Sequence, residues 1–325
     1  MAFFIKMFGQ FHLPTPLVRL DGFSSHHEVF MKRDDLTHPV ISGNKYRKLK
    51  YNLLAFKEGN YEALMTKGGY YSNHIAAAAA AGKYFDIKTI GIIRGEKPLN
   101  PGVTLNFAQS AGMQLSYMSR AEFREFSHQP GHPEFENIYF LPEGGTNELA
   151  LKGCGELAEE LALQIDLNNT LICLASGTGG TTAGLADVLP ENVKVLSFSA
   201  LKGKWLKDEI NSLLHKNVSH VDVTDEYCFG GYAKADDRLF HFINNFYDKY
   251  GIPLDPVYTA KMMYGLEEML NQERITPGKT IIAIHTGGLQ GVFGFQGSKV
   301  PIHWYNDPFC REASSLKSSM LSCTG

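Results

Sequence analysis

The sequence predicts an α/β protein built on mainly parallel, helix-flanked sheets. Short apolar runs alternate with helical stretches along most of the 325 residues, the pattern of strands joined by helical crossovers. Glycine clusters recur just after those runs, at Gly68-Gly69, Gly177-Thr178-Gly179-Gly180 and Gly287-Gly288. That is where ligands bind in such sheets. The length and the 44% apolar content suffice for two domains or one large unit with a sizeable core.

The elements follow from local chemistry. His12-Leu13-Pro14-Thr15-Pro16-Leu17 is stiffened by two prolines and is not regular helix. Glu28–Arg33 reads as a strand that runs into Asp34-Asp35. Tyr46–Lys57 carries Leu49, Leu53, Leu54 and Phe56 near a helical period, with Ser42 and Asn44 as candidate caps. Strands are expected at 63–66, 89–93, 115–118 and 138–141, and helices at 74–84, 103–111 and 147–165. A second series has strands at 170–175, 193–199, 220–223 and 279–285. Its helices are expected at 182–189, 205–214, 235–250 and 258–270. Past Gln296 the pattern lapses, and the serine-rich stretch Ser314–Ser319 reads as a tail.

Composition excludes several functions. A formal net charge of -3 gives no electrostatic case for nucleic acid or anionic membranes. No stretch approaches the roughly 20 apolar residues that span a bilayer, and the first residues lack the pattern of a signal peptide. The five cysteines are widely spaced with no C-x-x-C pair, so no disulfide framework or zinc knuckle is indicated. Cys173 is expected as a buried thiol. The cytoplasm is the expected compartment. His128 and His132 have metal-like spacing, but Pro130 and Gly131 interrupt any helix there, so no metal is expected.

Ser42-Gly43-Asn44-Lys45 is a glycine turn ending in a lysine at a helix start. A cation there opposes the macrodipole, which discourages its charge and favours a neutral, nucleophilic amine. The alternative is a helix start that happens to be basic. Gly177-Thr178-Gly179-Gly180-Thr181-Thr182 between strand and helix offers converging N–H groups and hydroxyls to one phosphate. It lacks the third glycine of a dinucleotide fingerprint and the lysine of a Walker A loop. Gly68-Gly69-Tyr70-Tyr71-Ser72-Asn73-His74 would suit a carboxylate, or Ser72 and Asn73 are simple caps. Asp255-Pro256-Val257-Tyr258-Thr259 and His285-Thr286-Gly287-Gly288 each place hydroxyls at the edge of an apolar run.

Taken in order, these stretches resemble the pyridoxal-phosphate enzymes of the 1-aminocyclopropane-1-carboxylate deaminase / D-cysteine desulfhydrase family, of the tryptophan-synthase-β-like fold type II group. The match runs from about Leu13 to Gly288. The resemblance implies pyridoxal 5'-phosphate as cofactor, with Lys45 as its Schiff-base lysine. It assigns Gly177, Thr178, Gly179, Gly180 and Thr181 to the phosphate, and Asn73 to a place beside the phenolic oxygen. It assigns Ser72, Asn73 and His74 to the substrate carboxylate, and Ser72, Tyr258 and Tyr232 to acid–base or active-site roles. Thr259 stands where the ring-opening deaminases have a glutamate for the pyridine nitrogen; with Thr286 it makes that neighbourhood neutral, as in the desulfhydrase branch. Ala233 stands where the family often has Gly-Tyr-Gly. The implied layout is a large domain from residues 1–47 and 144–300, an inserted smaller one at 48–143, a tail at 301–325, and a homodimer.

The implied reaction is α,β-elimination and deamination of a small amino acid to a 2-oxo acid and ammonia, D-cysteine being the leading substrate. It is a lyase reaction that consumes water, so a hydrolase classification is also admitted. The other readings are ring opening of 1-aminocyclopropane-1-carboxylate, racemisation or dehydration with the same cofactor, or a non-catalytic cofactor or nucleotide binder.

Overall fold

The computed structural model describes residues 11–126, 137–295 and 298–306. His128 and His132, Cys310 and Cys323, and Ser314–Ser319 lie outside the described residues.

Ten strands form two sheets among the described residues. The larger sheet holds β1 (Leu17–Arg19), β2 (Glu28–Lys32), β7 (Thr170–Ser176), β8 (Lys194–Ser199), β9 (Val221–Thr224) and β10 (Thr280–Ile284). Its order is β1-β2-β10-β7-β8-β9, parallel except for the β1–β2 pair. The smaller sheet holds β3 (Ala63–Gly68), β4 (Lys88–Arg94), β5 (Gln114–Met118) and β6 (Ile138–Leu141), all parallel in the order β5-β4-β3-β6. The helices are α1 (Asn44–Glu58), α2 (Asn73–Phe85), α3 (Gly102–Ser110), α4 (Arg120–Glu125), α5 (Glu148–Gln164), α6 (Gly180–Val188), α7 (Leu206–Leu214), α8 (Asp237–Tyr250) and α9 (Thr259–Asn271).

The period-2 alternation of strands decides which helix covers which face. Cys173, Ala175, Phe198, Ile281 and Ala283 share one core with Leu239 and Ile243 of α8 and Met262 and Leu266 of α9. Their neighbours Ile172, Leu174, Val195, Ile282 and Ile284 face α5, α6 and α7 through Leu161, Leu185 and Ile210. Both faces are covered, so these strands read as near-continuous apolar runs. Around the small sheet, α1, α2 and α3 share a core including Leu49, Leu53, Ile93 and Leu105. The alanine run of α2 is fully buried there.

Two expectations are corrected, and two elements are added. Neither Ser42 nor Asn44 caps α1, because Gly43 occupies the N-cap at φ 57 with no side-chain cap bond. The lapse past Gln296 is not a uniformly loose end, since Ile302 and Trp304 are buried in the large-sheet core. The short elements β1 and α4 were not expected at all. Cys173 is buried as expected, and burial pushes its thiol up. No helix of the described residues is long and apolar enough to cross a membrane.

Candidate active site

Three turns far apart in sequence meet at the C-terminal ends of the strands. Gly43 is pressed against the turn after β10, where a Cβ on it would lie 2.1 Å from the Thr286 carbonyl oxygen. The Asn44 N–H donates to that carbonyl at 3.2 Å. The fit is reciprocal, since a Cβ on Gly287 would meet Ser42 Oγ at 2.4 Å. A Cβ on Gly288 would meet Asn73 Nδ2 at 2.2 Å. Glycine is required at these contacts because the Thr286 backbone or the Ser42 and Asn73 side chains occupy the place of a Cβ, and because φ is positive.

That packing brings the first turn of α1 to a cavity lined by Asn44, Lys45, Lys48, Asn73, Gly144, the 175–181 turn, Tyr258, Thr286 and Gly287. Lys45 has its amine pushed down to about 7, chiefly by burial and secondarily by the Lys48 charge. No carboxylate lines this cavity among the described residues to restore the ammonium form. A poorly solvated amine beside a second cation is a nucleophile and base at neutral pH. The residues that hold α1 in place are also charged. Arg47 makes a two-pronged contact with Asp34, at 2.6 and 2.7 Å, and reaches Glu160 at 2.9 Å. Lys32 donates to the same Glu160 at 2.5 Å. Arg47 and Asp34 are both buried, tying the start of α1 to the end of β2 and to α5.

The glycine–threonine turn after β7 forms one wall. Gly179 has φ 76, and α6 begins at Gly180, so its first N–H groups lack intrahelical partners. A Cβ on Gly177 would lie 3.2 Å from Tyr258 Oη, and one on Gly180 3.0 Å from Lys48 Nζ. Both positions therefore present bare backbone to the cavity. Thr181 Oγ1 accepts from Asn44 Nδ2 at 3.0 Å, and Thr178 Oγ1 lies 2.9 Å from Thr146 Oγ1. Behind the turn, Ser176, Thr182 and Ser197 form a closed triangle of buried hydroxyls at 2.6, 3.1 and 2.8 Å.

Two residues that sequence reasoning passed over support this cavity, Lys48 in its wall and Gln290 behind Asn73. Lys48 is buried and donates to the Gly144 carbonyl at 3.1 Å and to Thr146 Oγ1 at 2.8 Å. Its position three residues after Lys45 places both on one helix face, the one available signal. Gln290 Nε2 donates to Asn73 Oδ1 at 2.8 Å and so fixes that amide; the sequence offered no signal for this.

The remaining predicted residues divide. Asn73, Tyr258 and Thr286 line the cavity beside Lys45. Ser72 sits at the N-cap of α2, its hydroxyl accepting from the Ile75 N–H at 3.3 Å. His74 points into the protein, its Nε2 2.8 Å from Thr66 Oγ1. Burial and the nearby Lys45 and Lys48 charges hold His74 well below its ordinary value, hence neutral. Thr259 is fully buried at the start of α9 and is not in the cavity wall. Asp255 accepts from the N–H groups of Val257, Tyr258 and Thr259 at 3.0, 2.8 and 2.9 Å, which fixes the Tyr258 turn. Tyr232 stands outside that wall with its ring 6.0 Å from the Tyr258 ring. Burial and the neighbouring Tyr232 push the Tyr258 phenol far up, so it keeps its proton at neutral pH.

These residues fit a phosphorylated aldehyde cofactor. Bare glycines, a helix start, two threonines and Lys48 can hold a phosphate, while the neutral amine of Lys45 can hold the aldehyde carbon. The pyridoxal-phosphate dependent enzyme family matches residues 9–287. This chain belongs to that family. Its cofactor is pyridoxal 5'-phosphate. The bifunctional D-cysteine desulfhydrase/1-aminocyclopropane-1-carboxylate deaminase of Arabidopsis thaliana is 31% identical, covering 88% of this chain and 79% of the relative. A putative 1-aminocyclopropane-1-carboxylate deaminase of Thermotoga maritima is 32% identical over 86% and 95%. The crystal structure of an ACC deaminase homologue superposes with a TM-score of 0.74 at 25% identity, covering 96% of this chain and 99% of that one. Within the pyridoxal-phosphate enzymes, the chain thus falls in the deaminase/desulfhydrase branch, with the fold type II architecture. It is a lyase or deaminase, and the hydrolase classification is dropped, since these relatives are named for deamination and desulfhydration.

Proposed function

We propose that the protein eliminates the β-substituent of a small amino acid and releases the 2-oxo acid and ammonia, with D-cysteine as the leading substrate. The observation that carries the choice of substrate is the absence of any carboxylate in the cavity wall among the described residues, where Thr286 is present instead. When bound, the cofactor draws electrons from the substrate Cα. A neutral hydroxyl supports that withdrawal less than a carboxylate paired with a pyridinium, so a good leaving group such as hydrosulfide is favoured over opening a carbon ring.

The side chains divide the work. Lys45 would hold the cofactor's aldehyde carbon, and its neutral Nζ would take the substrate α-proton. Lys48, Thr178, Thr181 and the N–H groups from Gly177 to Thr181 hold the phosphate. The N-terminus of α2 at Ser72, Asn73 and His74 receives the substrate carboxylate through backbone N–H groups. Asn73, fixed by Gln290, orients the cofactor's phenolic oxygen. Tyr258, with Tyr232 against it, holds the proton delivered to the departing group, and Ser72 is the second donor in reach of the substrate end. Residues 48–143 act as an inserted unit that keeps water from this cavity, in a cytoplasmic homodimer; light scattering on the purified protein tests the dimer.

The assay measures pyruvate and sulfide from D-cysteine, 2-oxobutyrate from 1-aminocyclopropane-1-carboxylate, and racemisation or dehydration of serine. Turnover of D-cysteine alone is the expected result. Preferential turnover of the cyclopropane substrate, which the name of the Thermotoga maritima relative favours, would replace the leaving-group argument. Turnover of none would sink the proposal.

A further inference from the structure

A second cavity of about 460 Å³ lies beside the first and is lined by Lys67, Arg94, Arg120, Phe123, Arg124 and Glu143. Four cations face one carboxylate. Arg94 makes a loose contact of 3.7 Å with Glu143, both side chains remaining about 40% exposed. Arg120 and Arg124 have no ion pair among the described residues. Lys67 Nζ donates to the Phe123 and Phe126 carbonyls at the end of α4 and lies over the Phe123 ring, with no carboxylate partner among the described residues. A cavity with an excess of one sign of charge concentrates ions of the other sign, and guanidinium forks match carboxylate and phosphate oxygens.

The position of this cavity gives it a role. Glu143 lines it, while the next residue, Gly144, lines the cofactor cavity. Arg94 Nη2 lies 3.5 Å from where a Cβ on Gly69 would be, in the turn that leads to Ser72 and Asn73. Arg94 and Glu143 also act electrostatically on Tyr232, which packs on Tyr258. The basic wall therefore meets the substrate end of the site through Arg94 at the Gly69 turn, and meets the phosphate end through its one carboxylate, Glu143, whose neighbour Gly144 packs on Thr178 and accepts from Lys48.

We infer that this cavity is a subsite for an anionic leaving group: the substrate class is a β-substituted alanine whose β-substituent carries its own acid group. The inference rests on the elimination reading above. With S-carboxymethylcysteine, Lys45 takes the α-proton and the Cβ–S bond breaks with its electron pair on sulfur. The products are mercaptoacetate, pyruvate and ammonia, with one water consumed and no oxidant or reductant required. Arg94 and Arg124 hold the carboxylate that departs with the sulfur.

The test compares S-carboxymethylcysteine with its neutral isostere S-carbamoylmethylcysteine, in both enantiomers and at low and high salt. The wild-type holoenzyme is expected to favour the acid by at least about tenfold in kcat/KM, the worth of one charge-assisted contact. That ratio should fall with salt and collapse toward one in Arg94→Gln and in Arg124→Gln. Equal kcat/KM for the two compounds in the wild type would overturn the subsite. So would equal losses on both compounds in the variants, because a merely structural arginine lowers both. Titrating the visible absorbance of the bound cofactor with the same compounds gives the same preference as a ratio of Kd. The subsite thus stands or falls even where turnover is slow. Failure of D-cysteine elimination with the acid preference intact counts against the D-cysteine reading alone.

Discussion

Capture of the cofactor by Lys45 should become independent of pH far below the range of an ordinary lysine. At pH 7 an amine with its usual value of 10.5 is neutral in roughly one molecule in 3,000. Lys45, pushed down to about 7 by burial and by Lys48, is neutral in about half. The reactive fraction is therefore larger by on the order of 10³, since each unit is a factor of ten. Adding pyridoxal 5'-phosphate to apoprotein and following the visible absorbance of the lysine-bound cofactor reads this directly. The rate should rise with a midpoint near pH 7 and level off by about pH 8. Lys48→Met removes the second cause of the depression, so the midpoint should move upward. The same shift links to stability. Between about 7 and 10.5 the unfolded chain binds the proton that folded Lys45 has released. Apoprotein stability should therefore rise with pH across this window, by up to about 1.4 kcal/mol per unit for one group, and Lys45→Met should lower that slope while leaving the share of other depressed lysines such as Lys261. A capture rate that keeps climbing through pH 9–10 would refute the reasoning, because it would mean that the amine is solvated and ordinary.

Other substitutions probe the frame. Arg47→Met leaves Asp34 buried without its partner and should cost about 3–5 kcal/mol in denaturant unfolding at pH 7. Arg47 holds Asp34 below its ordinary range against the opposing effect of burial, and Glu160 likewise. Their contribution is present above the unfolded carboxylate values of 3.8 and 4.5 and is lost as pH falls through the lower folded values, so the penalty should shrink in acid. Asp255→Ala strands the N–H groups of Val257, Tyr258 and Thr259, and should cost about 2–4 kcal/mol while lowering kcat through the displaced Tyr258. Ala233 has φ 53, in the left-handed region. Ala233→Gly should raise stability by up to about 1 kcal/mol, measured by thermal unfolding; a loss of stability would show that the loop is not strained there.

How far the sequence could be read depends on the range of the forces involved. The long strands and helices were legible because burial on both faces of a parallel sheet writes itself as apolar runs, as in Thr170–Ser176 and Thr280–Ile284. Short elements were not. β1 has three residues between prolines and exposed positions, and α4 has one buried residue and no apolar period. The capping box of Ser119 and Glu122 was the only trace of α4. The cap of α1 was misread because a polar residue beside a helix start suggests a side-chain cap. Gly43 is there for its contact with Thr286, a distant partner that local chemistry cannot name. Lys48 and the turn at Gly144 were missed for the same reason, their contact being tertiary. Trp304 was missed because a single buried aromatic after a weak stretch has no periodicity to announce it. The ordered set of site motifs was legible as a resemblance, whereas no single motif identified its chemistry alone.

The account turns on which amine holds the cofactor, and one measurement addresses that directly. Borohydride reduction of the holoprotein, followed by proteolysis and mass spectrometry, fixes the cofactor on the residue that carries it. The prediction is a single label on Lys45, absent in Lys45→Ala together with the visible absorbance. A label on Lys48, or on any lysine outside this cavity, would contradict the central claim.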